Sequence, residues 1–234
     1  MTADSTESLH PVQGLPRVVR HITGHDAEGK SVFLATDSGD HYRGLVNKAA
    51  VVNNLYSTHQ HPVDLNASAD IKYARKNEVR YPAVQVNQWK QWDLMLTMIL
   101  QPGMSVKNGT VCRMIDFAPN GVLPMHRVQS LDYAVVIEGV FKLMLDSGEE
   151  KIIQRGDVTI QRSPSHEWVN ITGDGLLPGR VLFVMLDTRD AQVAGNKFNE
   201  SLGVFDRDYA GLNGHETAVR VPIIRPNDYY ESEF

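Results

Sequence analysis

Cysteine is nearly absent: Cys112 stands alone in 234 residues, which excludes an internal disulfide and a cysteine-built metal cluster. Long hydrophobic runs are missing too. The most apolar stretch, 94–100, is far shorter than the ~20 residues that span a bilayer, so no membrane partner is expected. Basic runs are absent, and 23 basic against 28 acidic residues leave a net charge of −5. That balance, with no helix-turn-helix pattern, argues against a nucleic-acid partner. The opening MTADSTESLHP has no basic-then-apolar layout of a secretory leader, so a cytoplasmic location is expected. What is present is ordinary globular material, 42% hydrophobic and 22% charged, in a chain long enough to bury a core.

The stretch 121–170 carries the chemistry. Pro124-Met125-His126 is extended, and strands follow over 133–138 and 140–145, separated by Gly139. Asp146-Ser147-Gly148-Glu149 makes a tight reversal into a strand over 150–154, and Arg155-Gly156-Asp157 turns into another over 158–161. A turn at Pro164 then aims His166, Trp168 and Asn170 to one side of a last strand. Because side chains alternate faces, a small closed barrel would gather His126, Asp132, His166 and Trp168 in one interior.

This stretch resembles the two motifs of the cupin superfamily, the RmlC-like jelly rolls. The first motif (a glycine, two histidines one residue apart, a carboxylate and a second glycine) is matched by Gly121, His126, Val128, Asp132 and Gly139. The second is matched more loosely by Gly156, Pro164, His166 and Asn170. The chain is similar in detail to single-domain cupins of fungal secondary metabolism. The resemblance implies an all-β double-stranded β-helix with an N-terminal hairpin arm and a C-terminal extension. It also implies a homodimer, and a polyketide- or terpenoid-like substrate.

Residues 1–14 are expected to be disordered and 15–186 to form the barrel domain with its arm. Residues 187–234 are expected to be an extension packed on the barrel or on a partner. The arm is a hairpin of strands 18–23 and 31–35 around Gly24-His25-Asp26. A strand over 49–56 precedes His59 and His61, whose spacing would put both on one face of a strand, as metal ligands need. Residues 64–80 read mostly as loop. Trp89, Trp92 and Met95 lie in a Met- and Trp-rich region that suits either core or the wall of an apolar pocket. A strand over 111–117 puts Arg113 and Phe117 on one face, and 180–186 closes the barrel. A short helix over 191–198 and a loop over 203–214 follow.

Metal-dependent members of the superfamily hold their ion with histidines and a carboxylate at the motif positions. Val128, in place of the second histidine, cannot bind a metal; at most His126, Asp132 and His166 remain, with His59 or His61 as replacements from a loop. The expectation is therefore no metal and no cofactor. His126 and His166 would exchange protons with substrate, and Asp132 would orient His126. Arg113, Phe117, Val128, Trp168, Trp89, Trp92 and Met95 would form the walls around a hydrophobic small molecule. The reaction class expected is that of a lyase or isomerase: dehydration, isomerisation or cyclisation, extending to a pericyclic closure such as a hetero-Diels–Alder step. Two other readings stay open: a metal-dependent oxygenase or decarboxylase using His126, Asp132 and His166, and a ligand-binding barrel without catalysis.

Overall fold

The computed structural model describes residues 12–39, 41–77, 104–190, 192–193, 195–197 and 199–208. In chain order its strands begin with β1 (Arg20–His25), β2 (Ser31–Asp37), β3 (Tyr42–Leu45) and β4 (Ala50–Thr58), followed by helix α1 (Ala69–Asn77). Then come β5 (Thr110–Phe117), β6 (Val122–Arg127), β7 (Ser130–Glu138), β8 (Val140–Leu145) and β9 (Glu150–Gln154). β10 (Val158–Arg162), β11 (Ser165–Asn170), β12 (Gly179–Asp187), β13 (Gln192–Val193), β14 (Asn196–Lys197) and the one-turn helix α2 (Phe205–Asp208) complete it.

Two antiparallel sheets enclose the core. The larger runs β10-β7-β12-β5-β4-β3 and the smaller β6-β11-β8-β9; β1 and β2 form a separate hairpin. Alternation is plain in the burial. On β7, Ser130, Asp132, Ala134 and Val136 face in while Tyr133 and Ile137 face solvent; on β11, His166, Trp168 and Asn170 face in. Trp168 is fully buried, with Phe141 and Phe183 edge-on at 5.8 and 5.7 Å. Side chains of this kind each contribute roughly 1.5–3 kcal/mol by burial, so the aromatic cluster anchors the smaller sheet on the larger.

The outer face of the larger sheet is covered from the N-terminal side. Arg180 and Asp116, both buried, form a bidentate pair at 2.5 and 2.7 Å, and Arg180 also donates to the carbonyl of Pro16. Val12 and Leu15 pack beside it on Val51, so the expected disorder over 1–14 does not extend to Val12. No helix of the described residues is long and apolar enough to cross a membrane.

Three local expectations are corrected. Residues 69–77, read as loop, are helical: Asp70 in the first turn and Arg75 and Lys76 in the last complement the helix dipole, and only Ala74 is buried, so no apolar stripe announces the element. The helix expected over 191–198 is instead the β13–β14 hairpin, turned at Gly195. The loop expected over 203–214 contains α2. Trp89, Trp92 and Met95 lie outside the described residues.

Candidate active site

β6 and β11 are neighbours, and their register sets His126 directly opposite His166. The two rings lie 4.4 Å apart, tilted by 49°. Each is held by the chain two residues before it: Nδ1 of His126 is 2.8 Å from the carbonyl oxygen of Pro124, and Nδ1 of His166 is 3.1 Å from that of Pro164. A backbone carbonyl oxygen only accepts. Nδ1 therefore carries the proton in both rings and Nε2 keeps its lone pair. Burial lowers both pKa values. That of His166 is pushed down to about 3, first by burial and then by the neighbouring His126, so the pair is neutral near pH 7.

Asp132 comes from β7 in the opposite sheet and lines the same cavity. Burial raises its pKa from 3.8 to about 6, against the opposing pull of the Ser130 hydroxyl and the Arg113 charge. Its Oδ1 is buried without a hydrogen-bond partner, so the expected role of orienting His126 is not what the geometry shows: the Pro124 carbonyl holds that ring. Arg113, on β5, is buried in the wall, and its Nη2 donates to the carbonyl of Met104 at 2.8 Å. The remaining walls are apolar, with Ile115, Leu123, Val128, Trp168, Phe183 and Phe205 among them, around a cavity of about 30 Å3. Phe117 is not in the lining; its ring packs 4.9 Å from Phe141, deeper in the core.

No protein-family model matches the chain. The chain is 52% identical over 202 residues to the cupin-domain-containing oxidoreductase fogC of Aspergillus ruber, covering 86% of this chain and 88% of that one. The chain belongs to the cupin superfamily. It is also 34% identical over 194 residues to phomopsin biosynthesis cluster protein C′ of Diaporthe leptostromiformis, covering 82% and 91%. Among solved structures, an RmlC-like cupin from Shewanella frigidimarina aligns with 34% of this chain and 68% of its own at 21% identity, with a TM-score of 0.29.

The cupin motif residues divide by role. Gly139 has φ +97°, and a Cβ there would lie 2.3 Å from the Thr172 hydroxyl, so the β7–β8 turn admits only glycine. Asn170 is structural: its Nδ2 donates to the carbonyls of Ala118 and Leu177, both at 2.9 Å, and its Oδ1 accepts from the Thr172 amide and hydroxyl. The metal positions are another matter. Val128 supplies no donor, His59 stacks on Tyr73, and His61 lines a separate polar groove with Asp187 and Arg189. Among the described residues no three His, Cys, Asp or Glu side chains are placed to hold a metal ion. The described residues at the motif positions therefore do not make up a metal-binding set.

Sequence reasoning missed two residues at the site. Gln161, on β10, sits opposite Asp132 in register and is buried with both amide atoms unpartnered. Its signal was hidden by an inverted strand, whose apolar Val158 and Ile160 face outward. Phe205 comes from a segment read as loop, and its ring lies 4.7 Å from that of His126.

Proposed function

We propose that this cupin is an enzyme of small-molecule biosynthesis that moves protons on a hydrophobic substrate, in a dehydration, isomerisation or cyclisation. The observation that carries this is the neutral His126–His166 pair, with both Nε2 lone pairs unprotonated, facing across an apolar cavity a carboxyl whose pKa is near 6. Both imidazoles stay unprotonated near neutral pH, and Asp132, with its pKa raised to about 6, keeps an acid fraction there. In this reading Nε2 of one histidine takes a proton next to a carbonyl, and Asp132 in its acid form protonates the departing hydroxyl or the enolate oxygen. The apolar walls exclude water and hold the intermediate in one geometry. Kinship with a protein named for a biosynthesis cluster supports a place in biosynthesis.

The name of fogC, an oxidoreductase, favours a second reading, a change of oxidation state. Product mass separates the two. With a converted substrate in hand, proton transfer gives a product of equal mass or one lacking water. It survives chelator, and His126→Ala or His166→Ala should lower kcat/KM by about two to four orders of magnitude. A product differing by two hydrogens or by one oxygen would establish the oxidoreductase instead.

This reading also takes the protein as a homodimer. Val19 just before the β1–β2 hairpin, Phe33 on it, and Tyr133, Val158 and Ile160 on the outer face of the β7–β10 edge are large apolar side chains exposed to solvent. A second copy would cover them.

A further inference from the structure

The cavity beside the histidine pair is about 30 Å3, room for two or three water molecules at about 10–15 Å3 each, whereas small-molecule sites are typically about 300–1,000 Å3. What fills the missing space comes from the chain itself. Residues 201–208 cross the surface beside β6, with Gly203, Val204 and Asp206 exposed. Leu202 and Phe205, three residues apart, turn inward and are 4% and 1% exposed. The Phe205 ring stands edge-on to His126 at 63° and lines the cavity. The segment is tied to β6 by one backbone pair: Arg127 N–H donates to Ser201 O at 2.7 Å, and Ser201 N–H to Arg127 O at 3.0 Å. α2 itself is a single turn. A short, surface-lying element held by few backbone bonds belongs to the low-stability end of a fold.

We infer that the seat of the Phe205 ring is a substrate subsite: the 201–208 segment lifts to admit an aromatic or cyclic, apolar ring, which then lies against His126 where Phe205 lies now. The inference rests on the proton-transfer reading only for the use made of His126; the seat and the strap stand on geometry. An edge-to-face contact with a neutral imidazole is the contact a flat unsaturated ring would reproduce.

The test uses full-length protein and indole, a neutral aromatic probe. By isothermal titration calorimetry Phe205→Ala should bind indole at least about tenfold more tightly than wild type, because it leaves an apolar vacancy of ring size. Phe205→Trp, which refills the seat, should not bind. Equal affinity in wild type and Phe205→Ala, or no binding by Phe205→Ala, overturns the subsite. A second measurement leaves Phe205 in place. Arg127→Cys with Ser201→Cys, in a Cys112→Ser background, staples the strap to β6 where the two backbones pair. Carbethoxylation of His126 and His166 by diethyl pyrocarbonate, located by peptide mass mapping, should slow about tenfold when stapled and recover on reduction, since access then requires a forbidden opening. The same rate stapled and reduced overturns the strap. Neither readout involves turnover, so failure here leaves proton transfer standing on its own product analysis, and the converse holds too.

Discussion

His126 and His166 resist protonation because each is buried, and His166 also because His126 lies beside it, whereas Asp132 resists ionisation because it is buried in the facing wall. The two effects act on stability in opposite directions. The carboxyl of Asp132, with its pKa raised to about 6, contributes stability that is complete below pH 3.8 and lost as pH rises through 6. The difference amounts to ~3 kcal/mol. Urea midpoints should therefore show Asp132→Asn gaining on wild type between pH 4 and pH 7; parallel curves would contradict the raised pKa. The depressed pKa of His166 contributes stability that is complete above pH 6.5 and lost as pH falls towards 3, so His166→Asn should flatten the acid side of the same plot. At this scale the sequence is informative where alternation is regular. His126, Asp132, His166 and Trp168 share one interior because each occupies an inward position of its strand. Gln161 escaped because β10 turns its polar residues inward, towards Asp132, and its apolar ones outward; hydrophobic alternation then points to the wrong face.

At the scale of elements, strands announced by turn residues were legible and elements made by tertiary contact were not. The reversal at Gly148, the bend at Gly139 and the hairpin before β2 all carry their turn chemistry in the sequence. α1 does not, because it lies on the surface with little apolar content, and α2 is helical for a single turn in which Phe205 turns inward, with Leu202 just before it. Asn170 shows what a motif residue can mean when it makes no contact with chemistry. Its side chain joins the end of β11 to the β5–β6 turn through Ala118 and to the β11–β12 connection through Leu177 and Thr172. Asn170→Ala should cost about 2–5 kcal/mol, measured by urea denaturation, because a fully buried side chain loses its bonds to the Ala118 and Leu177 carbonyls and to Thr172 together. A loss below about 0.5 kcal/mol would show that those carbonyls find other partners.

Across the whole molecule, most strands of the two large sheets were readable, though β3 and the β13–β14 hairpin were not, and strand partnership was not readable at all. The order β10-β7-β12-β5-β4-β3 depends on which distant strands meet, which no local pattern encodes. The buried Arg180–Asp116 pair belongs to this scale, since it clamps the N-terminal segment to the outer sheet face through Pro16. Asp116→Ala leaves Arg180 buried without its counter-charge and should destabilise the fold by about 3–5 kcal/mol. Light scattering after size exclusion tests the proposed dimer: a particle of the 26.2 kDa chain mass would contradict it, and one of twice that mass is expected. The central claim, that this cavity transfers protons, is tested most directly by solvent deuterium. A converted substrate, turned over in deuterium oxide with chelator present, should yield a product that carries solvent deuterium and has either the substrate's formula or one water less. His126→Ala and His166→Ala should abolish the labelling. A product that gains oxygen or differs by two hydrogens, or turnover that stops with chelator, would contradict the account.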